Sequence, residues 1–364
     1  MTWAHEDFED LDAPATYAVD PSGVYGWIET SDQRLSDAKS LYLGASRPAI
    51  DRRDDIREVL ICGMGGSAIS GDIAYSVTSQ SLPVPCRVVR GYTLPASLGP
   101  GTLLIVVSYS GNTEESVWAY TQGHNRRAEV VAIATGGALG DLAGRNGTPL
   151  VKLPTDYPAP RLALPHLLCA VLSVLSAAFE GMEFIDESVE DAIVSLKRGA
   201  NRYSRDLQYD KNFAKRLAYD IHSSFPVIVA AELTWPAALR FQTQINENSK
   251  WPCHACVIPE MNHNEVMAYA QAGPATGRTG VLFLRDKDDH PRVKFRQDFT
   301  SDLVQKHVAW VHELKGEGKT LLGRLMSIMQ AADYTSYYLA CARGLDPLTI
   351  RAIDTLKERL GKIQ

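Results

Sequence analysis

Six consecutive residues, Ser108-Tyr109-Ser110-Gly111-Asn112-Thr113, offer three aliphatic hydroxyls, a glycine and an amide. They stand between an apolar, β-branched run at 103–107 and Glu114-Glu115-Ser116-Val117-Trp118, which reads as the first turns of a helix. At such a junction the first N–H groups of the helix and the positive end of its dipole face outward, and a glycine lets the chain curl so that donors converge on an anion. The loop has no lysine, which excludes a nucleotide P-loop and favours a small phosphorylated metabolite. The plainer alternative is a helix cap, but a cap needs one hydroxyl and this loop supplies three.

A carboxylate and an imidazole follow in the second half of the chain. Gln244-Ile245-Asn246-Glu247-Asn248-Ser249-Lys250 sets Glu247 among amides and a lysine, and Asn262-His263-Asn264-Glu265 puts His263 in a polar loop. A glutamate of ordinary pKa, about 4.3, is ionised at neutral pH and can take a proton from a carbon beside a carbonyl. Together with a histidine and a phosphate cradle, it suits proton transfer on a sugar phosphate. Read plainly, Glu247 is a surface helix residue paired with Lys250 one turn on, and His263 is a loop histidine bonded to backbone.

Gly63-Met64-Gly65-Gly66-Ser67-Ala68 follows another strand-like run, and its glycines let backbone and Ser67 approach a sugar closely. The stretch also satisfies the G-x-G-x-x-A pattern of dinucleotide sites. No Asp or Glu lies between Asp72 and Glu114 to hold a ribose, so that reading survives only as an NADP-dependent oxidoreductase using Arg90. Cys253-His254-Ala255-Cys256, with His263 close behind, is the one close pairing among the six cysteines. A zinc site usually wants a second pair at matching spacing, and a redox pair usually opens a helix. This stretch reads instead as extended into Val257-Ile258, so buried, inert thiols are expected, with neither metal nor cofactor.

The elements that must position these residues alternate. Strand patterns at 58–62, 86–90, 103–107, 130–134 and 150–153 are interleaved with helical ones near 68–77, 114–124 and 139–145, which implies a parallel sheet covered on both faces. Ligands then sit at the carboxyl ends of the strands. A helix at 162–179 closes the unit, and polar 186–215 reads as a helical connector. The pattern restarts with a strand at 225–231, a helix at 234–248 and a strand at 280–284; helices at 320–343 and 353–360 finish the chain, separated by Asp346-Pro347. The segment after the first strand of each half matches in position, but Ala231-Glu232-Leu233-Thr234 lacks the glycines of 63–66. A duplicated unit whose second copy lost its anion loop would leave phosphate binding to the first and chemistry to the second.

A length of 364 residues favours two domains, and 45% hydrophobic with 22% charged residues is ordinary for a globular chain. The net charge of −6 argues against a nucleic-acid partner. No secretory leader pattern opens the sequence. Apolar 162–179 is interrupted by Pro165 and His166 and carries Ser173 and Ser176, so a core or subunit-interface helix is expected there and no membrane association. The cysteine pattern points to a reducing cytoplasm.

Taken together, Gly63 to Ser67, Ser108 to Thr113, Glu247-Asn248 and Asn262-His263-Asn264-Glu265 resemble the bifunctional phosphoglucose/phosphomannose isomerases of the sugar isomerase (SIS) superfamily. The resemblance runs from Asp20-Pro21-Ser22-Gly23 to Asp354-Thr355-Leu356-Lys357. It implies an α/β fold of two SIS-type domains, each a parallel sheet flanked by helices in an αβα sandwich. The corresponding division is an N-terminal helical lead-in at 1–40, a phosphate-binding SIS domain at 41–185, a second SIS domain with the catalytic base at 186–345, and a C-terminal helix at 346–364.

The resemblance also implies an aldose–ketose isomerase that interconverts glucose 6-phosphate and mannose 6-phosphate with fructose 6-phosphate through a cis-enediol, as a homodimer and without metal. Carried over by position, Ser108, Ser110 and Thr113 grip the phosphate and Gly65, Gly66 and Ser67 line the sugar. Arg161 stabilises the enediol, and Glu247 shuttles the proton between C1 and C2. His263, arriving from the partner subunit, and Lys357 open the ring. Pro158, with Thr349 or Thr355, makes room for rotation about C2–C3. One departure is Leu162-Ala163-Leu164-Pro165-His166, where relatives usually carry small residues and no proline. The remaining alternative is a SIS-type regulator that binds a sugar phosphate without turning it over, which would have no use for Glu247, His263 and Lys357.

Overall fold

Short apolar runs ended by glycine-rich or hydroxyl-rich turns recur along the chain, and in a computed structural model they form two parallel sheets. The structure describes residue 8, residues 10–44 and residues 55–362. The start of the expected lead-in, residues 45–54 and the last two residues lie outside that set.

In chain order, a 3-10 turn at Pro14–Val19 precedes α1 (Val24–Glu29) and α2 (Ser31–Tyr42). Next come β1 (Glu58–Cys62), α3 (Gly65–Thr78), β2 (Cys86–Val89), β3 (Thr102–Ser108), α4 (Glu114–Asn125), β4 (Glu129–Ala134), α5 (Gly137–Asn146) and β5 (Leu150–Lys152). After a 3-10 turn at Pro160–Ala163 the chain forms α6 (Leu164–Ala178), α7 (Phe184–Tyr203), α8 (Phe213–His222), β6 (Phe225–Ala230) and α9 (Trp235–Ser249). The remainder is β7 (His254–Val257), a 3-10 turn at Glu260–His263, α10 (Val266–Tyr269), β8 (Thr279–Arg285), α11 (Pro291–Val304), β9 (Trp310–Lys315), α12 (Leu321–Ala342) and α13 (Arg351–Leu360).

These elements group into two compact units, each discontinuous in sequence. One comprises 30–197 and 317–327; the other comprises 1–29, 198–316 and 328–364. The first unit carries a five-stranded sheet of order β2-β1-β3-β4-β5, in which every pairing is parallel. Every residue of β3 is buried, as a central strand covered on both faces requires. Val59 to Cys62 and Val130 to Ala134 join it in that core. Helix α6 is buried all round, His166, Ser173 and Ser176 included, and 89% of the most apolar window of Pro160–Ala178 lies inside the protein, so the membrane-like stretch is a core helix. Pro165 sits in its first turn, where a missing N–H costs nothing.

The second unit repeats the arrangement with four parallel strands in the order β7-β6-β8-β9. Its N-terminal part is held by side chains far along the sequence. The Lys215 ammonium, fully buried, donates to Asp12 Oδ1 at 2.8 Å and to the carbonyls of Arg205 and Leu207 at 2.9 and 2.7 Å. Tyr17 and Tyr25 pack on Tyr337, and Tyr25 also meets Tyr334. The lead-in is therefore shared: α1 belongs with the second sheet and α2 with the first, where it packs on α6. The polar stretch read as a connector is largely α7, followed by a loop and the start of α8. Strand β9 was not legible, because Trp310-Val311-His312-Glu313-Leu314-Lys315 is an edge strand of mixed polarity with little buried surface.

Candidate active site

In the first sheet β1 and β3 are neighbours, while the chain leaves β1 towards β2 on one side and β3 towards β4 on the other. This is the topological switch point, where the carboxyl ends of two adjacent strands diverge and leave a crevice for ligand. The two loops singled out by sequence lie there. Residues 63–67 join β1 to α3, and residues 109–113 join β3 to α4.

The hydroxyls of the second loop form a relay. Ser108 Oγ accepts from the Thr113 N–H at 3.4 Å and donates to Thr113 Oγ1 at 2.9 Å, while Ser110 Oγ accepts from the Asn112 N–H at 3.2 Å. A hydroxyl has one proton to give. Because backbone or a neighbouring hydroxyl supplies the protons that Thr113 and Ser110 accept, their own O–H bonds are left to donate outward. Thr113 stands at the N-cap position of α4, yet its side chain makes no capping bond. Its hydroxyl is thus turned from the helix to the relay, against the plain reading as a cap. The N–H groups of residues 111–113 are engaged inside the loop, so the outward donors are the hydroxyls and the first N–H groups of α4.

Glycine is obligatory at the centre of this loop. Gly111 has φ +71°, and a Cβ there would lie 1.8 Å from the carbonyl oxygen of Gly136. The Gly111 carbonyl accepts from the Leu139 N–H at 2.9 Å, and Asn112 Oδ1 accepts from the Ala138 N–H at 3.0 Å, which fastens the loop to the start of α5.

Three segments meet at this point. The Tyr109 N–H donates to Ser67 Oγ at 3.4 Å, linking the two loops. A Cβ on Gly66 would lie 3.2 Å from the Pro160 carbonyl and 3.3 Å from Arg161 Cα, so the turn bearing Arg161 rests on the head of α3. Arg161 is buried there at 4% exposure. The Tyr157 N–H donates to Tyr109 Oη at 3.1 Å, and Tyr157 Oη lies 2.7 Å from Nδ1 of buried His166. Burial holds the His166 pKa below its ordinary value. Gly65, Gly66, Ser67, Ser108, Ser110, Thr113 and Arg161 are thus on converging segments, with Pro158 exposed beside Tyr157.

Sequence reasoning missed the tyrosine–tyrosine–histidine chain that binds these segments. Tyr109 lay inside the quoted motif without a role, and Pro165-His166 was noted only as a departure. Proline in a first helical turn was the available signal. Arg90, which the oxidoreductase alternative needs, is paired with Asp72.

In the second unit Glu247 is half-buried near the end of α9. That helix is pinned along one face to α12: Arg240 and Gln244 donate to Asp333 at 2.9 and 2.7 Å, and Asn248 donates to Ser336 Oγ at 3.0 Å. Lys250 closes the helix in the left-handed region at φ 53°. Its ammonium donates to the carbonyls of Asn248 and Asp346 at 3.0 and 2.7 Å. His263 is exposed at the end of a turn whose neighbours are tied down, since Asn262 donates to Thr300 Oγ1 and Asn264 to Glu260, each at 2.8 Å. Lys357 is exposed on α13. Glu247, His263 and Lys357 thus occupy three separate elements of this unit.

Comparison with known proteins gives the family. Residues 210–360 match the bacterial phospho-glucose isomerase C-terminal SIS domain. A bifunctional phosphoglucose/phosphomannose isomerase from Caldicellulosiruptor bescii is 34% identical over 90% of this chain and 96% of its own length. The chain belongs to the bifunctional phosphoglucose/phosphomannose isomerase family. A D-glucosamine-6-phosphate 4-epimerase from Sulfolobus acidocaldarius is 29% identical over 82% of the chain and 87% of its own length. A hypothetical protein from Thermus thermophilus shares the fold, with a TM-score of 0.71 at 12% identity over 96% of this chain and 92% of its own.

Family membership bears out the resemblance and the reading of the chain as an isomerase. Neither threonine expected to shape the sugar pocket is marked out by its bonding. Thr349 donates to the Asp346 carbonyl at 3.3 Å, and Thr355, exposed on α13, donates to the Arg351 carbonyl at 2.9 Å.

Proposed function

We propose that this isomerase interconverts fructose 6-phosphate with both glucose 6-phosphate and mannose 6-phosphate through a cis-enediol. The observation that carries the proposal is the hydroxyl relay at the β1/β3 crevice, set at a helix N-terminus with Ser110 exposed and Thr113 making no cap bond. In this reading Ser108 orients Thr113, and Thr113 and Ser110 donate to the phosphate while Gly65, Gly66 and Ser67 line the sugar. Arg161 offsets the negative charge that develops on the enediol. Glu247 takes the proton from C2 of the aldose and returns it to C1, and in the reverse direction takes it from C1. Glucose and mannose 6-phosphates differ only at C2, so both collapse to one enediol, and Pro158 with Thr349 or Thr355 leaves room for C2–C3 rotation.

Ring opening falls to Lys357 and to His263 of the partner subunit. A homodimer is supported by the exposure of His263 and by Ile353, Leu356 and Leu360, three large apolar side chains exposed on α13. We place the enzyme in the cytoplasm, in keeping with six unpaired cysteines.

The test is to incubate purified protein with fructose 6-phosphate, with and without a chelator, and identify the products. Glucose and mannose 6-phosphates in both incubations are expected. Formation of neither aldose would leave a sugar-phosphate-binding regulator. A parallel incubation with glucosamine 6-phosphate checks the amino-sugar alternative; 4-epimerisation faster than isomerisation would displace the proposal.

A further inference from the structure

Sequence spacing drew attention to Cys253 and Cys256, yet these stand three apart in an extended segment and so face opposite sides of the sheet. Residues two apart share a side, and on β7 these are His254 and Cys256. Strand β7 is an edge of the second sheet. Glu265, at the start of α10, reaches back to that strand, and its Oε2 lies 2.9 Å from His254 Nε2. One nitrogen, one sulfur and one oxygen donor, from His254, Cys256 and Glu265, all lie within 4.8 Å of one another.

We propose that His254 Nε2, Cys256 Sγ and a Glu265 carboxylate oxygen form a binding site for one divalent cation of the zinc class. The donor set is the mixed nitrogen, sulfur and carboxylate kind that zinc takes and that calcium or magnesium does not. Tetrahedral zinc, about 2.0–2.3 Å from each ligand, needs its donors about 3.3–3.8 Å apart. The His254–Glu265 separation must widen slightly to reach that spacing, which rotation of these two part-exposed side chains accomplishes. Cys256 is 3% exposed and packs in the apolar cluster with Val229, Ile258 and Met261, whereas the His254 and Glu265 side chains are 43% and 37% exposed. The site therefore has an apolar wall and an entrance, with a fourth position for water. A bound cation would tie the segment carrying His263, two residues before Glu265, to the sheet edge. It takes no part in the proton transfer assigned to Glu247.

The test uses the full chain stripped with chelator and titrated with Co²⁺, without substrate, so its outcome is independent of the isomerase reading. One equivalent per chain is expected, with tetrahedral visible bands and a near-ultraviolet thiolate-to-cobalt band that Zn²⁺ bleaches. Zn²⁺ should also raise the thermal midpoint. Cys256→Ala should abolish the thiolate band and Cys253→Ala should leave it. His254→Ala, a change at an exposed side chain that keeps the fold, should weaken binding by more than the roughly 10–100-fold typical of losing an outer-shell partner. No thiolate band in the parent, a band that persists in Cys256→Ala, or parental affinity in His254→Ala would each overturn the site.

Discussion

The two sheets have the same strand order, with the first strand of each unit flanked by the second and third, and so the same crevice at the carboxyl ends of β1/β3 and β6/β8. The loops that fill the two crevices have opposite chemistry. After β3 the chain offers hydroxyls, which accept a proton from the backbone and pass another outward. After β8 it offers Asp286-Lys287-Asp288-Asp289, whose carboxylates accept and pass nothing on: Asp289 Oδ2 takes the Asp286 N–H at 3.1 Å, and Asp286 Oδ1 takes the Asp288 N–H at 2.9 Å. The helix starts differ in the same sense. His290 Nδ1 caps α11 by accepting from Arg292, whereas Thr113 leaves α4 uncapped. The loop after β6 closes on itself as well, with Thr234 Oγ1 accepting from Ala231 at 3.0 Å. Shared topology provides two crevices, and the loops at them differ in what they offer: hydroxyls after β3, and carboxylates with Lys287 after β8.

If binding belongs to the first unit and chemistry to the second, the largest effect should come from the base. Glu247→Gln keeps the shape but removes the proton acceptor. General-base catalysis is worth about 10²–10⁴-fold, so kcat for fructose 6-phosphate should fall by at least about 10² with KM little changed. Steady-state kinetics on both aldoses checks this; near-parental kcat would break the division of labour.

The complementary substitution is in the relay. Thr113→Val keeps the volume and removes the donor, and a hydrogen bond to a charged group contributes about 1.5–3 kcal/mol, so substrate and inorganic phosphate should both bind about 10–150-fold more weakly. Gly111→Ala should do at least as much, because its Cβ would sit 1.8 Å from the Gly136 carbonyl oxygen. Calorimetric titration with phosphate reads both. Parental affinity in Thr113→Val would return the loop to the role of a helix terminus.

How much of this was legible follows from where the information resides. The parallel α/β architecture was readable because central strands such as 103–107 are continuous apolar runs and helix starts carry glycine or proline. The hydroxyl loop was readable because its chemistry is local, all within six residues. The Tyr109–Tyr157–His166 chain was not, since it joins positions 48 and 9 apart and only folding shows which tyrosine meets which. The partition of the lead-in was hidden for the same reason, because it depends on Lys215 finding Asp12 across 203 residues. The burial of Cys253 and Cys256, 8% and 3% exposed, was legible from the extended run into Val257-Ile258, whereas the approach of Glu265 to His254 across eleven residues was not.

The smallest effect on turnover, and the sharpest probe of the carboxylate loop, is expected from Asp289→Asn. Burial, helped by the neighbouring Asp286 charge, pushes the Asp289 carboxyl up from 3.8 to about 6. A raised carboxyl pKa means that the folded state holds the proton more tightly than the unfolded one. The stabilising contribution is thus complete below the unfolded value and is lost as pH rises through the folded value. Above pH 6 the native protein carries an ionised, 4% exposed Asp289 at a cost of at most about 3 kcal/mol. Asparagine keeps an oxygen to accept the Asp286 N–H and carries no charge. Asp289→Asn should therefore raise the thermal midpoint at pH 8, raise it less near pH 5, and leave it unchanged below about pH 4, where both states of the parent are protonated. An equal gain at every pH would assign the effect to packing. A gain confined to high pH would show that the second crevice holds a buried anion of its own, at a position corresponding to the hydroxyl loop of the first unit.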